Sequence, residues 1–285
     1  MRALGADRGA LARRYAILTV VSAILAAPLI FVISIALSSD ATVNQLAFSF
    51  WPHEWHWENF VNVWSNKLPV GRFILNSLMI VIPDVIFLTL SSAMVAYGFA
   101  RLHAPGKNVL FMIVLSTMMI PGQVLTIPQF IEFRTLGWVN TILPLVIPNL
   151  FANAYNVFLM RQFITRIPEE LDEAAEIDGL GYFGIFWRII LPQMRPVLTA
   201  VAVFTFNANW GNFMGPLIYI NDDQKMPLAL GLKMMTATGN AAQTPPWNMI
   251  MVGSLILIIP VLLVYYFSQK YLYESGLTFG SAGIK

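Results

Sequence analysis

Residues Ile167–Pro196 read IPEELDEAAEIDGLGYFGIFWRIILPQMRP, a polar stretch set between long apolar ones. Its first half holds Glu169, Glu170, Asp172, Glu173, Glu176 and Asp178, six of the chain's 15 acidic residues. Pro168 suits a first helical turn, where its missing N–H would be unpaired anyway. Glu169, Glu170 and Asp172 place negative charge at the positive end of the helix dipole. Leu171, Ala174 and Ala175 recur at helical spacing and give one small apolar face. Gly179 stands where a left-handed C-cap is wanted. A second apolar helix is expected from about Tyr182 to Leu191, ended by Pro192. The stretch therefore predicts a helix, a glycine turn and a helix, presenting concentrated charge at a membrane surface. Gly179, Gly181 and Gly184 also spell G-x-G-x-x-G, but that fingerprint needs a preceding strand. Here an acidic helix precedes it and would repel a pyrophosphate.

Composition sets the class. The chain is 57% hydrophobic and 11% charged, with a mean hydropathy of +0.66, against about a quarter charged residues in a soluble domain. It is an integral membrane protein. A net charge of +2 leaves no footprint for nucleic acid. With no cysteine, disulfides, zinc–thiolate sites and iron–sulfur clusters are excluded. The length suits an all-α bundle of roughly six spans, each needing about 20 apolar residues.

Those spans are expected at Tyr15–Leu37, Phe73–Ala100, Val109–Ile127, Thr141–Met160, Val197–Ile220 and Trp247–Phe267. The first run is too long for the apolar core of a cleaved signal peptide, and Arg13-Arg14 reads as an orientation signal. Between the first two spans, Trp51, Trp55, Trp57 and Trp64 accompany His53 and His56. An interfacial helix is favoured there over a two-histidine metal site, because tryptophan gathers where membrane meets water. The amino terminus, the Arg101–Lys107 turn, the polar loop and the tail hold twelve of the 17 lysines and arginines. The positive-inside rule then places both termini and the loop in the cytoplasm. The layout is residues 1–14 as amino terminus, 15–267 as a six-helix membrane domain with the loop at 161–196, and 268–285 as tail.

The spacing Glu173-Ala174-Ala175, three residues, Gly179, nine residues, Ile189, one residue, Leu191-Pro192 resembles the EAA loop of ABC-importer permeases. An amphipathic surface helix without a partner is the plain alternative, but small alanines suit close approach by a docked surface. Asn76-Ser77, Ala96-Tyr97-Gly98-Phe99-Ala100-Arg101 and Gly215-Pro216-Leu217-Ile218 look like the carbohydrate-uptake permeases of the maltose and glycerol-phosphate type. The tail Gly276-Leu277-Thr278-Phe279-Gly280-Ser281-Ala282-Gly283-Ile284-Lys285 is similar to one that reaches between two ATPases in that family. A disordered polar terminus is the other reading of it.

What the resemblance implies is a permease subunit of a heteromeric, binding-protein-dependent importer in a bacterial or archaeal cytoplasmic membrane. Its partners would be a second permease, a dimer of ATPases and an extracytoplasmic binding protein carrying a sugar-like solute. The chain has no G-x-x-x-x-G-K-[ST], so the energy must come from a partner; the resemblance implies a transport subunit rather than an enzyme, with no cofactor in this chain and ATP and magnesium in the ATPase. The resemblance assigns Glu173, Ala174, Ala175, Asp178, Gly179, Ile189, Leu191 and Pro192 to ATPase coupling, and Gly276, Leu277, Thr278, Gly280 and Lys285 to the tail's contact.

For the solute path the candidates are Asn207, Asn209, Trp210 and Asn212, because sugars want amides and an aromatic face. The family often has Trp-Asn-Asp where this chain has Trp210-Gly211-Asn212. Helix packing competes as their role, with Gly211-x-x-x-Gly215 in its favour. Asn76 and Asp84 lie in a span, where a carboxylate is costly and often functional; a hydrogen-bonded or interface-facing Asp84 is the competing reading. An importer for amino acids or oxyanions is the alternative, and an ion-coupled transporter is disfavoured because it would want more membrane carboxylates than Asp84. A membrane enzyme would need converging acid, base or metal groups.

Overall fold

Prolines decide where the apolar helices bend. The computed structural model describes residues 8–43, 51–52, 54–64, 69–237 and 245–274, and all regular structure among them is helical. Helix α1 is Arg8–Ala36, and α2 is the long span Val70–Arg101. Within α2, Pro83 removes an i→i−4 hydrogen bond, and a π turn, Asp84–Leu88, follows it directly. Then come α3 (Lys107–Met119) and α4 (Gly122–Thr135), which meet at 94°. Next are α5 (Leu143–Ile164), α6 (Glu170–Ile177), α7 (Tyr182–Gln193) and α8 (Arg195–Trp210), the last two meeting at 78°. The chain closes with α9 (Met214–Tyr219), α10 (Leu228–Ala237) and α11 (Trp247–Glu274).

Four helices are long and apolar enough to cross a membrane, Leu11–Ala36, Val70–Arg101, Leu143–Ile164 and Trp247–Leu272; the number rises to six if each bent pair is one span. Two expected spans are thus corrected. The third does not run straight from Val109 to Ile127, because Ile120 precedes Pro121 and is held extended at φ −82°, ψ 116°. The fifth does not continue from Val197 to Ile220. It stops at Trp210, and Gly211 leaves the helix at φ −92°, ψ 5°. There Asn212 Oδ1 accepts the Gly215 N–H at 3.1 Å, a local bond that competes with the helix ladder. The bent companion of α8 is α7, and Pro192 does not end it. A π turn, Phe186–Ile190, widens the ladder ahead of Pro192, the helix runs on to Gln193, and the chain bends at Met194 with Pro196 in the first turn of α8.

By contacts the described residues fall into two compact units, Met1–Pro69 with Leu232–Ile256, and Val70–Gly231 with Leu257–Lys285. In the first, the buried Asn59 amide donates to the Ala36 and Ser38 carbonyls at 2.9 and 3.0 Å, satisfying carbonyls that the end of α1 leaves unpaired. Among its described residues, 51–52 and 54–64, the tryptophan-rich segment holds one short helix, Asn59–Asn62, with turns and bends beside it. Its Trp51, Trp55, Trp57 and Trp64 are exposed, Trp55 stacking on Trp57. His56 Nδ1 lies 2.6 Å from Glu58 Oε1, within hydrogen-bonding distance, and His53 lies outside the described residues. The second unit holds the main core, where Ala93 and Ala96 of α2 let Val157, Met160 and Ile164 of α5 approach closely. Ile185, Phe186 and Ile190 of α7 pack into the same core.

Candidate functional site

The polar loop folds as its residues direct. Helix α6 carries Glu170, Asp172 and Glu173 in its first turn, where the dipole favours them. At its other end the Gly179 N–H donates to Glu176 O at 2.9 Å and the Leu180 N–H to Ala175 O at 3.0 Å. This bond pair is a Schellman cap. It needs Gly179 at φ +82°, and a Cβ added there meets nothing within 4 Å, so backbone conformation rather than space demands glycine.

A buried arginine holds the helix. Arg101, the last residue of α2, has a side chain only 6% exposed, with its Nε 2.7 Å from Asp172 Oδ2. Its Nη2 donates to the Ile167 carbonyl at 2.6 Å, and Nη1 lies 3.4 Å from Glu169 Oε1. The contact is a close ion pair, with the Asp172 Oδ1 atom on its far side left without a hydrogen-bond partner. Burial pushes the Asp172 carboxyl above its ordinary range, against the pull of the guanidinium. Beside the pair lies a cleft of about 510 Å³ lined by Arg101, His103, Glu169, Asp172, Glu173, Glu176 and Tyr182 among others.

The eight coupling candidates divide by direction. Glu173, Ala174, Asp178, Gly179 and Pro192 are exposed, whereas Ala175 is buried and Ile189 and Leu191 pack against the core. Ala174 and Ala175 therefore do not share one face. Leu171, Ile177, Tyr182, Phe183 and Trp187 leave large apolar surface exposed around the loop, Ile177 at 87%.

The solute-path candidates are scattered, and most bond to backbone. Asn76 is buried and donates to the Gln224 and Met226 carbonyls at 2.9 and 3.0 Å. Asn209 donates to Thr205 O at 3.1 Å. Trp210 is buried, with Nε1 bonded to Leu257 O at 2.9 Å and its ring stacked on Phe206. Asp84 is fully buried; its Oδ2 accepts from Asn149 at 3.0 Å, while Oδ1 has no hydrogen-bond partner. Among the four candidates of the 207–212 stretch, Asn207 alone is classed as exposed. Asn76, Asn209, Trp210 and Asn212 are thus each already hydrogen-bonded within the chain, Asn209 and Asn212 only to residues of their own stretch. The tail candidates Gly276, Leu277, Thr278, Gly280 and Lys285 lie outside the described residues.

Two residues were not singled out by sequence reasoning. Arg101 carried a signal, a lone charge ending an apolar span. Asn140, at φ +64°, accepts the Asn221 and Asp222 N–H groups on Oδ1 at 3.1 and 3.0 Å, joining two loops that lie far apart in sequence.

Residues 86–275, which include this whole loop, match the family described as binding-protein-dependent transport system inner membrane component. The chain belongs to this family. The permease is 29% identical over 269 residues to the diacetylchitobiose uptake system permease protein of Streptomyces coelicolor, covering 94% of this chain and 88% of that one. It is 32% identical over 249 residues to the arabinooligosaccharides transport system permease protein of Halalkalibacterium halodurans, covering 87% and 86%. Its fold matches a chain of a bacterial ABC transporter involved in the import of the acidic polysaccharide alginate. The TM-score is 0.80 at 23% identity, over 95% of this chain and 99% of the other. The expected ABC-importer permease is borne out, as a multi-pass transport component of the inner membrane.

Proposed function

We propose that this permease takes a carbohydrate across the membrane and that α6 is the helix through which a separate ATPase drives it. The observation that carries the reading is the loop around α6, pinned at one end by Arg101 and capped at the other by Gly179. Its exposed carboxylates stand beside exposed Leu171, Ile177 and Phe183, and a contiguous apolar patch of this kind fits a protein partner. Glu173, Ala174 and Asp178 form the docking face, while Ala175, Gly179, Ile189, Leu191 and Pro192 keep its shape.

The bent pair α3–α4 counts as one span and α8 as another, with its bent companion α7 lying at the membrane surface as part of the loop; this gives six spans, and both termini and the loop face the cytoplasm. Residues 1–14, 15–267 and 268–285 are the amino terminus, membrane domain and tail, with Gly276, Leu277, Thr278, Gly280 and Lys285 reaching the ATPase dimer. A second permease, two ATPase subunits that bind ATP and magnesium, and an extracytoplasmic binding protein complete the importer in a bacterial or archaeal membrane. This chain holds no cofactor. ATP closes the ATPase dimer, α6 moves with it, and the membrane helices switch between inward- and outward-facing states biased by ATP and loaded binding protein. The relatives named for diacetylchitobiose and arabinooligosaccharide uptake support a carbohydrate solute, with exposed Asn207 its best contact here.

The test is purification from the native membrane in mild detergent, with bound proteins identified by mass and a co-purifying binding protein screened against oligosaccharides. One P-loop ATPase, a second permease and carbohydrate-dependent ATP hydrolysis are the expected result. A chain that purifies alone and moves solute in liposomes without ATP overturns the proposal.

A further inference from the structure

Helix α6 has two attachments of different kinds. Its carboxyl-terminal half is fixed by apolar packing, with Ala175 buried and Leu180 packed on the core that α7 shares. Its amino-terminal half is held by charge, through the guanidinium of Arg101 against Asp172 Oδ2, Glu169 Oε1 and the Ile167 carbonyl. That guanidinium belongs to the last residue of α2, the span that carries the π turn Asp84–Leu88.

The end of α2 is itself well fixed. Arg161 of α5 donates through Nε to the Phe99 carbonyl at 3.2 Å and lies 4.2 Å from the Phe111 ring centre. Lys107 donates to the Leu102 carbonyl at 2.7 Å. Other groups thus bond the carbonyls at this helix end, and Arg101 points away to α6. Its charge suits the negative end of α2, and at α6 it meets the carboxylates that the positive end of that helix favours. A buried ion pair is a poor source of stability but fixes registry, because breaking it leaves a charge stranded.

We propose that Arg101 and Asp172 form a latch that ties the amino-terminal half of the coupling helix to the end of α2. A displacement of α6 by the ATPase is thereby delivered to that span instead of being absorbed by the loop. Both are positioning residues, acting through the helices they join, and the inference rests on α6 being the coupling helix. Apolar packing carries motion from the other half of α6 to α7, so one short helix moves two membrane elements together.

The test uses the complete importer in proteoliposomes and reads two quantities, the ATPase retained on purification and the ATP hydrolysed per solute imported. Arg101→Ala and Asp172→Asn are expected to retain the ATPase but to raise the ATP used per solute about tenfold, within the range of ordinary inter-site coupling. The exchange Arg101→Asp with Asp172→Arg is expected to bring the ratio back toward wild type. A second measurement does not depend on that exchange folding. The chain has no cysteine, so Arg101→Cys with Asp172→Cys, in an importer whose partners carry no accessible cysteine, can be joined by a reducible bifunctional thiol reagent. Joined, the pair should transport at the wild-type ratio, and reduction should uncouple it. Single variants with wild-type ATP use, or a joined pair that blocks transport, overturn the latch alone. A wild-type chain that carries no ATPase overturns the importer reading and the latch with it.

Discussion

Replacing Gly179 separates backbone strain from steric contact at the turn of the coupling loop. The residue sits at φ +82° with open space where a Cβ would go, so a side chain is strained but does not clash within the chain. A left-handed residue with a Cβ costs about 1–2 kcal/mol, asparagine tolerates the region best, and a β-branched residue is a genuine outlier there. Leaving the left-handed region would also break the bonds from Gly179 and Leu180 to Glu176 and Ala175, each contributing about 1 kcal/mol. Gly179→Asn should therefore cost under about 1 kcal/mol, Gly179→Ala about 1 and Gly179→Val about 2–3. Since 1.4 kcal/mol is about a tenfold change, valine should depopulate the capped loop by tens of fold. The assay is solute-stimulated ATP hydrolysis in proteoliposomes, with assembled permease quantified so that insertion is scored separately. Activity should fall in the order Gly, Asn, Ala, Val at equal insertion. A valine variant with normal stimulation would falsify the strain argument. An asparagine variant as damaged as valine would refute it differently, by showing that a partner needs the space at Gly179.

Glu173 is exposed but lies in the first turn of α6, so Glu173→Lys should cost about 0.5–1 kcal/mol through the helix dipole and still insert normally while losing solute-stimulated hydrolysis; normal stimulation would remove Glu173 from the docking face. At Asp84, asparagine keeps an acceptor for Asn149 and removes a buried charge, so Asp84→Asn should assemble and transport within about twofold of wild type; loss of transport at normal assembly would show that the carboxylate itself works in the cycle. Trp210→Phe keeps the stack on Phe206 and loses the bond to the Leu257 carbonyl. It should lower thermal stability by about 1 kcal/mol and leave the apparent solute affinity unchanged; a shifted affinity would return Trp210 to the solute path. Asn140→Ala loses two acceptor bonds and keeps a left-handed backbone, costing about 2–4 kcal/mol in thermal unfolding. Asn140→Gly relieves the backbone and should be milder by about 1 kcal/mol, and equal losses would show that backbone strain plays no part.

The loop was legible because its signals are local. First-turn acids and a glycine four residues after Ala175 each act within a few residues of themselves, and α6 and its cap form where those signals place them. The spans were legible as apolar helices in approximate place but not in shape. Pro121 announced its break, yet the 94° bend between α3 and α4 depends on Ile120 being driven extended by the ring that follows it. Pro192 works in the opposite direction. Its ring signals a helix end, whereas a π turn ahead of it lets the helix continue to Gln193. The end of α8 at Trp210 was hidden, because the apolar character of the chain continues to Ile220 while an Asn212 side chain redirects the backbone.

The polar residues of the membrane segments follow a different logic. An amide surrounded by hydrocarbon finds a protein partner, because the alternative is an unsatisfied group with no water to reach. Asn76 is taken up by two carbonyls of the 224–226 loop, Asn209 by a carbonyl one turn back, and Trp210 by Leu257. Composition and position mark all three as suited to a sugar, yet only their partners reveal that packing already uses them. For the same reason Arg101 was passed over as a mere orientation charge at the end of a span. Such a charge normally reaches for water, but this side chain is buried against Asp172 and the Ile167 carbonyl instead. In a chain this apolar, a buried cation that ties two helices together through opposing carboxylates is a stronger mark of function than a single hydrogen-bonded polar group, and that points to the junction of α2 with α6 before Asp84 or any amide of α8.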